Sequence, residues 1–416
     1  MIHALSVWWD RALVGTLRID QHGELSFAYD QTWLDDTARP SVSQSLPKRT
    51  EPFNRHETRP FFAGLLPEES QRDAVAQALG ISKANDFRLL EALGGDVAGS
   101  LTLWPEGEEP PRDTYAPMDF RPLADSELVE ILDALPKCPM LAGRDGLRLS
   151  LAGAQQKLPV VMVNGQIGLP QPGQPTTHIL KPPIARFHGT TENEAFAMRL
   201  AAATGLPVAA VEPRRIGDRS FLLVERYDRV MGDDGLTHRL HQEDFCQALG
   251  IPSERKYASE GGPVFKNCFD LIRHACTTPA PAILRLLDAA IFNAIVGNAD
   301  AHGKNFSLLY TPQGVEFAPL YDLLCTVAYP ELSAKFSMKI AKRAKLEEFR
   351  PETWDEFAKD VGVGVPYTRR RVQALANIMT KQSPNVIAEL AETGLDAEAL
   401  DAYGHLVQTR AQRMLS

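Results

Sequence analysis

Apolar residues recur along this chain with two different periods, and the change from one to the other divides it. Near the N-terminus, Ala12 to Ile19 and Leu25 to Tyr29 flank a His22-Gly23 turn and read as a small antiparallel set. Pro67-Glu68-Glu69 suits a helix start, with acidic groups at the positive end of the helix dipole, and Gly80 suits its end. Trp8 and Trp9 read as core and edge anchors, and the charged, proline-bearing stretch from Glu106 to Pro117 reads as a linker. Strands are predicted at Leu158 to Val163, at Thr177 to Lys181, and from Phe221 into a polar connector ending at Asp228. From about residue 236 the pattern is largely helical. Val372 to Met379 and Val386 to Leu390 repeat apolar positions at helical spacing, and Ile283 to Val296 is an almost unbroken apolar run. That run stops at Gly297, a usual residue just past a helix end, and its length favours a buried core helix over a strand.

The next eleven residues carry the candidate chemistry. Gly297-Asn-Ala-Asp-Ala-His-Gly-Lys-Asn-Phe-Ser307 places Asp300 five residues before Asn305, the Asp-x4-Asn spacing of a protein-kinase catalytic loop. Phe306 to Tyr310 and Val315 to Leu320 look like strands joined by the proline and glycine turn Thr311-Pro-Gln-Gly314. If they pair as a hairpin, the residue entering the first strand and the residue leaving the second become neighbours. Those residues are Asn305 and Asp322, two oxygen-bearing side chains suited to one hard cation. Asp300 would then accept or orient the proton of an attacking hydroxyl. Asn305 and Asp322 would hold the Mg2+ that neutralises the β and γ phosphates of ATP. Lys304 is a candidate contact of the transferring phosphoryl group, and His302 a brace of the loop. The plain alternative is a polar connector in which Asn298, Asp300 and Asn305 bond their own backbone.

Upstream, such an enzyme needs a phosphate cradle, a phosphate-pairing lysine and an adenine-binding connector. Ser150-Leu-Ala152-Gly153-Ala154-Gln155-Gln156-Lys157 has small residues where backbone could approach phosphates, though it is neither a Gly-x-Gly-x-x-Gly nor a Walker-type loop. Lys181, at a strand end, is the lysine candidate. Glu194 is its possible partner, but Thr191 and Glu194 also form a capping-box pattern that would occupy the same carboxylate. Backbone groups of Glu225, Arg226 and Tyr227 are candidates for gripping adenine.

Taken in order, these elements resemble the HipA family of bacterial serine/threonine kinases, the toxin halves of HipB–HipA toxin–antitoxin pairs. The resemblance runs through Phe61-Phe62 to Glu68, the 150–157 loop, His178-Ile-Leu-Lys181, Val224 to Asp228, Gln242 to Ala248, Lys256-Tyr257 with Gly261-Gly-Pro263, the catalytic loop and Tyr321-Asp322. It implies an α+β, bilobal protein-kinase-like fold with an N-terminal β-rich subdomain and a mostly helical C-terminal lobe. The expected division is residues 1–105, a linker and connecting helix at 106–140, an N-lobe at 141–235 and a helical C-lobe at 236–416. The resemblance also implies Gly303 and Tyr321 as nucleotide-site residues and autophosphorylation at Ser150. It further implies an aminoacyl-tRNA synthetase as substrate, the glutamyl enzyme foremost, and a small helix-turn-helix antitoxin that contacts operator DNA. Ala299 and Ala301 depart from the larger residues of many relatives, and Asp322 is followed by Leu323-Leu324 instead of Phe-Gly. Two other readings stay open: a small-molecule or lipid-headgroup kinase, and a nucleotide-binding pseudokinase co-repressor.

Composition narrows the setting. The chain has 416 residues, enough for two or three domains with ample core. Cys138, Cys246, Cys268, Cys276 and Cys325 are scattered without close pairs, which suggests reduced core thiols and not a disulfide or zinc framework. No apolar run reaches the roughly 18–20 residues of a membrane span, and no basic lead precedes an apolar N-terminal segment, so a cytoplasmic enzyme is expected. A net charge of −9 argues against the whole chain tracking nucleic acid unaided. Lys335 to Arg350 is locally basic, for which a solvated helical face is the simplest account.

Overall fold

A computed structural model describes residues 3–111, 120–144 and 146–415. The end of the stretch read as a linker, residues 112–117, lies outside the described residues. The fold has two compact units: Met1–Pro182 with Glu225–Glu254 and Leu309–Thr311, and Pro183–Val224 with Arg255–Leu308 and Pro312–Ser416.

In the first unit, the strands Leu25–Tyr29, Ala12–Ile19, Ala4–Trp9 and Leu101–Pro105 lie side by side in that order, all antiparallel. Gly23, at φ +81°, supplies the left-handed residue of the predicted turn. One face of this sheet buries Leu5, Val7, Leu17 and Phe27 with Phe53, Phe61 and Phe62. The helix Glu69–Leu79 begins and ends where its terminal residues predict, with Gly80 at φ +65°. A second antiparallel set holds Arg121–Pro122, Gln166–Leu169, Leu158–Val163 and His178–Lys181, again in that order. A short hairpin, Arg229–Met231 with Thr237–Arg239, straddles the start of the region expected to be largely helical from about residue 236.

The second unit pairs Val211–Ile216 with Arg219–Glu225 and is built mainly on helices. The two apolar repeats near residues 372 and 386 belong to one 28-residue helix, Val365–Glu392, which packs against Ala397–Leu415 and Thr190–Ala203. The apolar run before Gly297 is the helix Pro279–Val296, longer than the run itself because Pro279 starts it one turn earlier. At 18 residues it is long and apolar enough to cross a membrane by length and composition alone, which corrects the expectation that no segment reaches that size. Its packing is that of a core helix: 61% of it is buried inside the protein, and its Asp288 is bonded at 2.7 and 2.8 Å by Arg371. The basic segment is not a helical face, since between Lys335 and Arg350 the only helical element is the single turn Leu346–Glu348. All five cysteines are buried free thiols.

Candidate active site

The helix Pro279–Val296 delivers the loop. Gly297 ends it at φ +84°, and a Cβ there would meet Val327 Cγ2 at 2.5 Å, so the chain can turn only because this residue has no side chain. Asn298 then holds the turn from both sides. Its Nδ2 donates to Asn293 Oδ1 at 3.0 Å, and its Oδ1 accepts from the N–H of Asp300 at 3.2 Å. Thr326 Oγ1 accepts from the N–H of Ala299 at 2.8 Å. Between the buried residues Ala299 and Ala301, Asp300 is exposed. His302 and Lys304 are buried, and the His302 ring stands edge-on to Tyr257 at 5.2 Å.

The predicted strands form as Ser307–Thr311 and Gly314–Phe317, and at their base the N–H of Ala318 donates to Ser307 C=O at 2.9 Å. Leu320 is held further on, donating to Pro207 C=O and accepting from Ala209 N–H, both at 2.9 Å. Tyr321 turns its hydroxyl back onto the loop, bonding Lys304 C=O at 2.7 Å and Ser307 Oγ at 2.8 Å. Asp322 sits at φ +58°, a left-handed conformation that an aspartate tolerates better than most residues. The result is the neighbour relation expected from the hairpin: Asn305 Nδ2 donates to Asp322 Oδ2 at 3.2 Å. Asn305 Oδ1 accepts from the His302 N–H at 3.0 Å. The backbone-bonding account of the loop therefore holds for Asn298 and Asn305. It does not compete with cation binding, because an amide oxygen has a second lone pair. A carboxylate and an amide oxygen on adjoining residues, fixed from the backbone side, fit a hard cation that brings its own phosphate and water ligands.

The remaining candidates divide between the units. Lys181 and residues 150–157 belong to the first, as do Glu225, Arg226 and Tyr227; Glu194 belongs to the second. Ser150 is fully buried, its N–H donating to Asp96 C=O at 3.0 Å and its Oγ to Leu65 C=O at 2.7 Å. Gly153 has φ +109° and accepts from the Glu68 N–H at 3.2 Å. Lys157 folds back so that Nζ donates to Ala152 C=O at 2.6 Å, which curls the loop through Ala154, Gln155 and Gln156. Lys181 ends its strand nearly buried.

Two sequence readings change here. The Arg226 N–H is taken by Thr177 C=O at 3.0 Å, so a base could claim it only by breaking that bond. The capping-box reading of Thr191 and Glu194 fails. The helix starts at Thr190 with Gly189 as its cap, which puts Thr191 inside it, and Thr191 Oγ1 has no hydrogen-bond partner among the described residues. Glu194 is thereby not occupied as a cap, and it is buried.

A buried charge cluster behind the connector was not foreseen. Arg226 bonds Asp228 at 2.8 Å, Asp96 at 3.1 Å and Thr176 at 2.9 Å. Arg229 and Arg239 reach Asp96 at 2.9 and 3.1 Å, and the Gly99 N–H donates to Asp228 at 2.7 Å. Burial works against the Asp96 carboxylate, yet Arg229, Arg226 and Arg239 hold it well below the usual carboxylate range. The same residue accepts the Ser150 N–H, so one aspartate anchors both the loop and the connector. A lone aspartate in the otherwise apolar stretch around Leu93 to Val97 was the available signal.

The chain as a whole is similar to known proteins. Family models match as the HipA N-terminal domain over residues 5–104 and the HipA-like C-terminal domain over residues 149–387. A protein of Sinorhizobium fredii named "Putative kinase Y4mE" is 57% identical over 99% of this chain and 98% of its own. The serine/threonine-protein kinase toxin HipA of Shewanella oneidensis is 32% identical over 79% of this chain and 76% of its own. A solved complex of Shewanella oneidensis HipA with HipB and its operator DNA matches with a TM-score of 0.85 at 28% identity, covering 99% of this chain and 97% of that one.

Proposed function

The chain belongs to the HipA family and is a kinase of that type, and from that premise we propose that it moves the γ-phosphoryl group of ATP, with Mg2+, to a serine or threonine hydroxyl of a protein. The observation that carries this reading is the Asn305–Asp322 contact at 3.2 Å, which closes a hairpin directly after the exposed Asp300. In the proposal Asp300 orients the acceptor hydroxyl and takes its proton. Asn305 and Asp322 hold the cation, and Tyr321 and His302 keep the loop in shape. A bound Mg2+ would supply charge neutralisation at the β and γ phosphates. Lys181 and Lys304 are assigned to the phosphates, with Glu194 as the partner of Lys181. The backbone of residues 152–157 is assigned to the phosphates as well, and Glu225 and Tyr227 to the adenine, since the Arg226 N–H and C=O are already bonded to Thr177 and Arg229.

The wider biology in the proposal follows the resemblance. The chain is the cytoplasmic toxin of a pair, restrained by a HipB-like antitoxin that supplies most operator DNA contacts; the presence of HipB and operator DNA in the Shewanella complex supports the antitoxin partner. Its substrate is an aminoacyl-tRNA synthetase, glutamyl foremost. Autophosphorylation of Ser150 is the off-switch. A group bearing about −1.5 to −2 charge cannot stay where the buried hydroxyl now donates to Leu65 C=O, so the loop must leave. Labelled ATP with Mg2+, purified synthetases and a chelator control test the reading, with mass spectrometry for Ser150. Labelling of neither a synthetase nor the protein itself removes it.

A further inference from the structure

Downstream of the site, Lys335 to Lys345 contains Lys335, Lys339, Lys342, Arg343 and Lys345 and no acidic residue. The segment is a small ribbon. The Phe336 N–H donates to Ala344 C=O at 2.7 Å, and Ile340 and Arg343 exchange both backbone bonds at 3.0 and 2.9 Å. The two residues between them, Ala341 and Lys342, have φ +46° and +68°, a tight turn usually made by asparagine and glycine. Side chains alternate along the first arm. Phe336, Met338 and Ile340 are buried, with Met338 Sδ 3.8 Å from Cys268 Sγ, so Lys335 and Lys339 are left outward. Lys342 stands exposed at the tip.

No close ion pair is formed by Lys335, Lys339 or Lys342 among the described residues, although Glu348 and Glu356 interact electrostatically with Lys339 and Lys342. Both acids have closer partners on the ribbon: Glu356 pairs with Arg343 at 2.5 Å, and Glu348 accepts from the Ala344 N–H at 2.8 Å. The ribbon is also tied to the chemistry, because the Ser337 N–H donates to the C=O of Ala299, the residue before Asp300, at 2.8 Å.

We propose that this ribbon is the docking surface for an acidic polypeptide segment, which it sets beside the catalytic loop. Its identification as the acceptor rests on the protein-kinase reading above. Three exposed lysines along one short ribbon fall well short of the roughly 6–10 phosphate contacts of tightly salt-dependent nucleic-acid binding. The overall charge of −9 also opposes a long polyanion more than a short acidic stretch. Lys339 lies two residues past the tether and Lys342 five, and an extended peptide advances by the same rise of about 3.3 Å per residue, so the preferred acids lie about two to five positions from the acceptor hydroxyl.

Fluorescence anisotropy of labelled peptides tests this with the full chain. One peptide carries a central serine with glutamates at those positions, and its control carries glutamines. The glutamate peptide binds about tenfold tighter, and the margin shrinks with added salt. Lys339→Gln combined with Lys342→Gln removes the margin while the melting temperature stays put, since both side chains are exposed. Equal binding of the two peptides, or an unchanged margin in the double variant, overturns the proposal. So does a single-stranded oligonucleotide that binds tighter than the glutamate peptide with the same lysine dependence. Phosphoryl transfer into the bound peptides is read in parallel. Lysine-dependent binding without transfer sustains the docking surface and counts against the kinase reading alone.

Discussion

Replacing Asp322 in two ways separates its proposed metal role from its part in the fold. Asp322→Ala deletes the acceptor of the 3.2 Å bond from Asn305 and forces an ordinary side chain to φ +58°. The lost bond costs about 1 kcal/mol and the left-handed backbone about 1 more. A total of about 2 kcal/mol corresponds to a melting temperature lower by about 4–8 °C for a unit of this size. Asp322→Asn keeps both features, because asparagine tolerates the same backbone and its amide oxygen can still accept from Asn305. Its melting temperature should therefore match the parent. The two variants share one loss, the formal negative charge facing the proposed cation. In both, nucleotide binding should lose the part that depends on Mg2+, and phosphoryl transfer should fall by at least about 100-fold. Calorimetric titration of ATP with Mg2+ and with chelator, beside thermal melts of all three proteins, provides the comparison. If Asp322→Asn retains the parent's Mg2+-dependent affinity and rate, Asp322 is a structural residue of the turn and the metal assignment is wrong.

Four further outcomes are expected. Asp300→Asn should lower turnover by about 10²–10⁴-fold with ATP affinity preserved, since a positioned base acts in the transition state; steady-state kinetics beside ATP titration decide it. Ser150→Ala should abolish loop autophosphorylation by mass spectrometry and cost about 1 kcal/mol in a denaturant melt for the lost bond to Leu65 C=O. Asp96→Ala strands Arg226, Arg229 and Arg239 without their shared carboxylate, and a loss of about 3–5 kcal/mol is expected in the same melt. Glu243 is buried, and burial pushes its carboxyl up to about 7 despite bonds from Ser43 at 2.5 Å, Tyr310 at 2.6 Å and Gln44 at 3.0 Å. Between about 4.5 and 7 the unfolded chain loses this proton while the folded protein keeps it, so this group withdraws about 3 kcal/mol of stability as pH rises. His241, held down to about 4 by burial, works oppositely between about 4 and 6.5, so the contribution is read as the difference between Glu243→Gln and parent, which should widen from pH 4.5 to 7.

How much of this was legible beforehand depended on how far apart the interacting residues lie. The helix ending at Gly297, the hairpin after Asn305 and the N-terminal turn at Gly23 each follow from side chains within a few positions, and the sequence predicts all three. The Asn305–Asp322 contact spans 17 positions but needs only the turn between its strands, so it too could be inferred. The start of the helix at Thr190 was misjudged because Gly189 caps it in a left-handed conformation without offering a side chain to recognise.

By itself, then, the chain's order of residues determined the two periodicities, the turns and the spacing of Asp300, Asn305 and Asp322, because these rest on backbone preferences and short loops. Only the tertiary structure decided which charges are buried and with whom. Asp96 meets Arg226 from 130 positions away, and Ser150 meets Leu65 from 85. The outward lysines of the ribbon were likewise settled by apolar neighbours packing beneath them. Such pairings are set by burial and by the cost of leaving a charge without a partner, and no local pattern encodes them.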